Sequence, residues 1–154
     1  MMDTKAGWLR VAAAGVAMAV SLAAFQAQAG ERMTVFASPD CGCCAAWARH
    51  VEDAGFDVTV RHLAMADLHA RKRAAGISPS QASCHTALVG GYAIEGHVPA
   101  NEILKLLQDA PEAIGLSVPG MPADAPGMGS GREPYDVLLV KPDGSTRIFA
   151  SYPK

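Results

Sequence analysis

Charge of either sign is scarce in this 154-residue chain: Asp, Glu, Lys and Arg together make up 18 %, and the formal net charge is −2. That balance excludes the broad basic surface that general nucleic-acid binding needs. With half of the residues hydrophobic, a disordered acidic or basic tail is excluded as well. Cysteine is also sparse. Cys41, Cys43, Cys44 and Cys84 are too few for a fold built on disulfides. One long apolar run stands out, Val11 to Phe25, uncharged and rich in Ala and Val. It is shorter than the ~20 residues that a bilayer-spanning helix requires, and no Lys/Arg cluster follows it directly. There is no internal repeat, and the length suits one domain.

Lys5 and Arg10 precede the apolar run, and Ala27-Gln28-Ala29 follows it as a small-x-small cleavage pattern. Residues 1–29 therefore read as a cleaved signal peptide, with an uncleaved N-terminal anchor as the competing reading. Residues 30–154 read as a single exported domain with no membrane segment after cleavage. Export would place the cysteines in an oxidising compartment. Three of them lie within four residues, so at most one of the three can pair with Cys84. A bridge between the neighbours Cys43 and Cys44 would be strained, which leaves two ordinary structural disulfides improbable on geometry.

Met33–Ser38 reads as a short buried strand. Pro39-Asp40 ends it, and Asp40 suits the N-cap of a helix running from Cys41 or Gly42 to about Ala54, stopped by Gly55. Cys44, Trp47, Val51 and Ala54 give that helix an apolar stripe. Phe56–Ala64 alternates as a strand, and Asp67–Ala75 is a polar helix closed by Gly76. His85–Val89 and Tyr92–Glu95 form a hairpin about Gly90-Gly91, and Pro99–Asp109 is a helix. A Pro/Gly-rich loop spans Leu116 to Pro134. A second hairpin pairs Asp136–Lys141 with Thr146–Ser151. The fold class is α/β. The order β-α-β-α-β-β-α resembles a thioredoxin-like mixed sheet with flanking helices, followed by an appended C-terminal hairpin.

The chemistry follows from that placement. Cys41-Gly42-Cys43-Cys44 would sit at the end of the first strand and the first turn of a helix. Unpaired N–H groups and the positive end of the helix dipole stabilise a thiolate there, so Cys41 is expected to ionise readily. Thioredoxin-type redox proteins place a cis-proline opposite their Cys-x-x-Cys. Here Cys84-His85-Thr86 stands at the start of the hairpin, with His85 in that place and Cys84 before it. Ligand-type residues in place of proline open the site to a metal, and several thiolates on one side of a cleft suit Cu(I). Two other readings remain. Cys41, Cys44, Cys84 and His85 could form a tetrahedral zinc site, which leaves Cys43 unexplained. A thiol–disulfide oxidoreductase needs only two thiols and a resolving one, and the missing proline counts against it.

Met121 and Met128 lie in the Pro/Gly-braced loop, where a thioether is a candidate soft ligand and, equally, a cap on the core. His97 reads as a loop or surface residue, His50, His62 and His69 as solvated, and Arg71-Lys72-Arg73 as a solvated helix face.

Together, Cys41-Gly42-Cys43-Cys44, Cys84-His85-Thr86, Glu95-Gly96-His97-Val98-Pro99-Ala100, Val118-Pro119-Gly120-Met121-Pro122, Pro126-Gly127-Met128 and Tyr135-Asp136-Val137 resemble the small periplasmic copper-resistance proteins of the CopG type. Asp124-Ala125 departs from that pattern. The resemblance implies a thioredoxin-like fold, a periplasmic location and copper bound at Cys41, Cys43, Cys44 and Cys84. His85, Met121 and Met128 are auxiliary candidates. It also implies copper detoxification beside efflux proteins or periplasmic copper chaperones, and a copper oxidoreductase activity interconverting Cu(I) and Cu(II).

The signal-peptide reading predicts a mature N-terminus at Gly30, within a residue or two. Mass spectrometry of the protein from a periplasmic extract checks this; the full-length chain in the membrane fraction would contradict it.

Overall fold

A computed structural model describes residues 30–129 and 132–153. The proposed signal peptide lies outside the described residues. Among those described, no helix is long and apolar enough to cross a membrane.

The chain begins as a β-α-β unit: β1 (Arg32–Ala37), α1 (Gly42–Asp53) and β2 (Asp57–His62). The crossover makes β1 and β2 parallel, from Arg32 opposite Asp57 to Ala37 opposite His62. Cys44, Trp47 and Val51 form the buried stripe of α1, as their spacing predicts, whereas Ala54, expected to continue it, is the exposed C-cap. Its end also follows prediction, with Gly55 in the left-handed region at φ 99°. Its start does not. Cys41 rather than Asp40 occupies the N-cap, and no side chain caps the helix there.

The polar helix α2 (Met65–Ala74) leads to the hairpin β3 (Thr86–Val89) and β4 (Tyr92–Glu95). β3 runs antiparallel to β1, with Phe36 opposite Thr86. The amphipathic helix α3 (Ala100–Asp109) follows, burying Ile103 and Leu106 while leaving Leu104 exposed. Next comes a strand that the sequence reading placed in a loop, β5 (Gly115–Ser117), parallel to β4. Three residues carry too little alternation to be read as a strand. A Cβ at Gly115 would collide with the Ala93 carbonyl, so glycine is what allows this pairing. Through β5, the expected C-terminal hairpin, β6 (Tyr135–Val140) and β7 (Thr146–Tyr152), is appended to the edge of the main sheet. The seven strands run β2-β1-β3-β4-β5-β6-β7, a mixed α/β sheet of the expected class.

Two surface assignments are corrected by packing. Lys72 is buried, because α2 lies against β1 and β3 and its ammonium reaches Glu95 inside the protein. Arg71 beside it is exposed but has its guanidinium over the Phe36 ring, 4.3 Å from the centroid. His50 is half-buried and not simply solvated: its Nε2 accepts the Ala100 N–H at 3.0 Å. Helix α3 has no cap from its own N-cap residue, Pro99, so α1 supplies the acceptor. His62 and His69 are exposed, as expected.

Burial lowers the His50 pKa, while Asp53 opposes that shift. A depressed histidine pKa gives a contribution to stability that is complete above the unfolded-state value and lost as pH falls through the folded-state value, where the imidazolium can no longer accept a hydrogen bond. His50→Leu is therefore expected to cost about 1 kcal/mol at pH 7.5, in the range of a lost helix cap. Urea unfolding should show the difference shrinking towards pH 5; a pH-independent difference would contradict the cap.

Candidate metal centre

The end of β1 and the start of β3 lie at the same end of the sheet, and each presents sulfur. On the β1 side, the turn Ser38-Pro39-Asp40 feeds α1, with the Cys41 N–H bonded to the Ser38 carbonyl. One helical turn then aligns Cys41 with Cys44, whose Cα atoms are 5.3 Å apart and whose sulfurs form a disulfide. Cys43 is a free thiol, its Sγ 3.5 Å from that of Cys41. Cys84, also free, faces them from the residue pair before β3. The four sulfurs lie within 4.8 Å of one another.

The predicted thiolate at Cys41 is thus absent from this form of the protein. Cys41 and Cys44 can serve as thiolate ligands only after two electrons have opened their disulfide; two protons taken up with them would give the dithiol. Cys44 is buried, and Cys41 borders a groove of about 400 Å³ lined by Val35, Pro39, Asp40, Val60 and His62.

Cys84 belongs to a second group as well. His85 and His97 bring ring nitrogens that lie, with its sulfur, within 4.8 Å of one another. Both histidines are fully buried. For His97 this overturns the surface assignment. The turn after β4 carries it inward, with Gly96 at φ 72° and a site where any Cβ would meet Ser83 and the Val118 carbonyl. The sequence signal for His97 was its position beside the glycine that ends a hairpin, which solvent-exposure statistics alone could not weigh.

Hydrogen bonds settle which His97 nitrogen is available. The Pro126 carbonyl can only accept, so His97 Nδ1 donates to it at 2.7 Å. Burial lowers the His97 pKa, which keeps the ring neutral and leaves a lone pair on Nε2. That nitrogen is 3.0 Å from Cys84 Sγ and accepts its S–H. A carbonyl that fixes the tautomer of an imidazole is a recurrent support for metal-ligating histidines. His85 Nδ1 lies 3.4 Å from the same sulfur. Burial, His97 and Lys72 push the His85 pKa well down, so this ring too is neutral. Its Nε2 is buried with no hydrogen-bond partner among the described residues. The Trp47 ring packs 4.3 Å from it, centroid to centroid. The ring nitrogen that faces the thiol is Nδ1 rather than the unpartnered Nε2, and a thiol flanked by two neutral imidazoles fits a metal-binding group. Sulfur and imidazole together suit copper or zinc.

The set Cys41, Cys44, Cys84 and His85 does not assemble as one group. His85 falls with Cys84 and His97, and the first two cysteines are bonded to each other. The loop methionines differ from one another. Met121 is exposed and lines a separate cleft with Pro119, Glu133 and Tyr135. Met128 is half-buried and follows Gly127, which lies so close to α1 that a Cβ there would meet the Trp47 nitrogen and the Cys43 carbonyl. The loop therefore passes beside the cysteine helix at Met128.

Two solved structures are similar to this chain over most of its length. Copper resistance protein CopG, form 1, is 38 % identical, with a TM-score of 0.75 over 81 % of this chain and 99 % of that one. Form 2 is 39 % identical, with a TM-score of 0.74 over 80 % of this chain and 99 % of that one. The family described as "Protein of unknown function, DUF411" matches residues 81–128. That segment holds Cys84, His85, His97, Met121 and Met128 but not the Cys41–Cys44 cluster. No curated protein matches the sequence.

Burial, and after it the charge and hydrogen bond of the neighbouring Cys43, push the Cys84 thiol up to about 11 against the opposing hydrogen bond from Ser83. In the metal-free protein, its alkylation rate should climb roughly tenfold per pH unit from pH 8 to beyond pH 10, as the thiolate fraction does. Peptide mass mapping after iodoacetamide pulses reads this directly; a plateau near pH 8.5 would show an ordinary thiol.

Proposed function

We infer that this chain, which belongs to the family of the copper resistance protein CopG, takes copper as its cargo at the cleft between the cysteine helix and Cys84. The observation that carries this reading is the sharing of Cys84 between a four-sulfur group and a two-imidazole group. With the disulfide open, Cys41, Cys43, Cys44 and Cys84 offer a soft donor set suited to Cu(I), and His85 and His97 add neutral imidazoles that Cu(I) and Cu(II) both accept. Bridging by adjacent thiolates would allow more than one copper ion. Met128 is the better placed of the two thioethers to assist, and Met121 is not assigned a role at the centre.

The disulfide also supplies a route to a change of oxidation state. A Cys41/Cys44 dithiol that closes to the disulfide releases two electrons and two protons, which is the requirement for reducing two Cu(II) to two Cu(I). Such a protein would act in the periplasm after signal-peptide removal, holding copper for efflux proteins or copper chaperones.

A second reading, thiol–disulfide exchange on proteins, is favoured by the Cys41–Cys44 disulfide at a helix N-terminus and by the groove that exposes Cys41. The two readings diverge at Cys84. Copper binding needs it, whereas disulfide exchange between Cys41 and Cys44 does not.

In an anaerobic Cu(I) titration of the reduced protein, Cys84→Ser is expected to weaken binding at least tenfold, or about 1.4 kcal/mol, with the circular dichroism spectrum unchanged. Its insulin-reduction rate should remain that of the parent and far below that of a thioredoxin. Unaltered Cu(I) binding in Cys84→Ser, together with brisk insulin reduction, would reverse the order of the two readings.

A further inference from the structure

Behind Cys84 and His85 lies a buried polar network that none of the metal chemistry uses directly. Glu95, at the end of β4, is fully buried, and its carboxylate is gripped from α2, from β3 and from the loop between them. Oε1 accepts the Lys72 ammonium from α2 at 2.6 Å and the Ser83 N–H at 2.6 Å. Oε2 accepts the Thr86 hydroxyl from β3 at 2.6 Å, and Lys72 donates to the same Thr86 oxygen at 3.2 Å. Ser83 immediately precedes Cys84, and Thr86 immediately follows His85. One carboxylate therefore holds both ends of the Cys84-His85 dipeptide.

The backbone around Glu95 completes the frame. The Gly96 N–H donates to the His85 carbonyl at 3.0 Å, and the Val118 N–H donates to the Glu95 carbonyl at 3.0 Å. His97 is two residues further on. The residue that clamps Cys84-His85 is thus also on the short segment that delivers the second imidazole.

Stability alone does not account for such a network. Desolvating a carboxylate and an ammonium costs several kcal/mol per ion, and an apolar replacement of similar volume is often neutral or stabilising. What an apolar replacement cannot do is fix the Ser83 N–H and the Thr86 hydroxyl at set positions. We propose that Lys72, Glu95 and Thr86 are positioning residues that hold Cys84 and His85 in register with His97, so that the thiol and the two imidazoles form one preorganised donor set. The purpose of that set rests on the copper reading, but the positioning itself can be read without metal.

The test compares alkylation rates at Cys84 and Cys43 in the purified, metal-free full chain with its disulfide intact, resolved by peptide mass mapping. The variants are Lys72→Met/Glu95→Leu, Thr86→Val and Glu95→Gln. Releasing the clamp should free Cys84 from His97 and from burial. The double variant is expected to alkylate at least tenfold faster at Cys84, with the Cys43 rate within twofold of the parent and the circular dichroism spectrum retained. Thr86→Val, which removes one of the grips, should raise the Cys84 rate about threefold. Glu95→Gln, which retains a carbonyl oxygen for Lys72 and Ser83, should stay within threefold of the parent. If the double variant does not fold by circular dichroism, Thr86→Val decides. An unchanged Cys84 rate in the folded double variant or in Thr86→Val, or equal acceleration at Cys43 and Cys84, overturns the proposal. Cu(I) titration of the same proteins separates it from the reading it rests on. A parent that fails to bind copper refutes the cargo and leaves the alkylation result standing. A parent that binds copper while the variants show no selective change at Cys84 refutes the positioning alone.

Discussion

The antiparallel pairing of Phe36 with Thr86 determines where every donor of the centre can be. It sets the last residues of β1 beside the first residues of β3. The chain leaving β1 becomes the cysteine-bearing start of α1, and the chain entering β3 is Cys84-His85. Forty residues of sequence separate Cys44 from Cys84, yet this register requires their side chains to meet at one end of the sheet. A slip of one residue would turn Thr86, and with it the carboxylate clamp, to the opposite face. The hairpin turn at Gly90-Gly91 fixes the return strand in the same register, from Val89 opposite Tyr92 to Thr86 opposite Glu95. Glu95 and His97 are therefore carried to the same end.

The centre has two chemically distinct sides. One is exposed in part and rich in sulfur, with the Cys41–Cys44 disulfide beside the free thiols of Cys43 and Cys84. The other is a buried wall of two neutral imidazoles backed by Trp47, whose indole N–H is anchored on the Val98 carbonyl at 2.8 Å. Cys84 belongs to both. Neutral buried imidazoles bind a metal ion without first losing a proton, whereas a thiol held up near 11 gives up its proton only when a cation takes its place. On the copper reading, sulfur coordination would therefore depend on the arrival of metal.

Much of the fold could be read from the sequence because its signals were local. The strand-helix-strand opening, the Gly55 and Gly76 stops and the Gly90-Gly91 hairpin all announce themselves within a few residues. Strand β5 did not, since three residues show no period and its existence depends on the approach of Gly115 to Ala93. The cysteine set was legible from composition and order, while its oxidation state was not. A thiol pair at i and i+3 on a helix serves a disulfide and a metal equally well. Lys72, His50 and His97 were misread for a common reason. Each is a polar side chain whose burial is decided by a partner remote in sequence, namely Glu95, Ala100 and the Pro126 carbonyl. Met121 and Met128 looked equivalent in their loop. Only the close packing of Gly127 on α1 distinguishes the second.

The central claim is that copper is held jointly by sulfur and imidazole around Cys84. Copper K-edge X-ray absorption on the reduced, Cu(I)-loaded protein tests it most directly. The account predicts sulfur scatterers in the first shell together with the outer-shell pattern of imidazole, both diminished in Cys84→Ser. A first shell of light atoms alone, or a spectrum indifferent to Cys84→Ser, would contradict it.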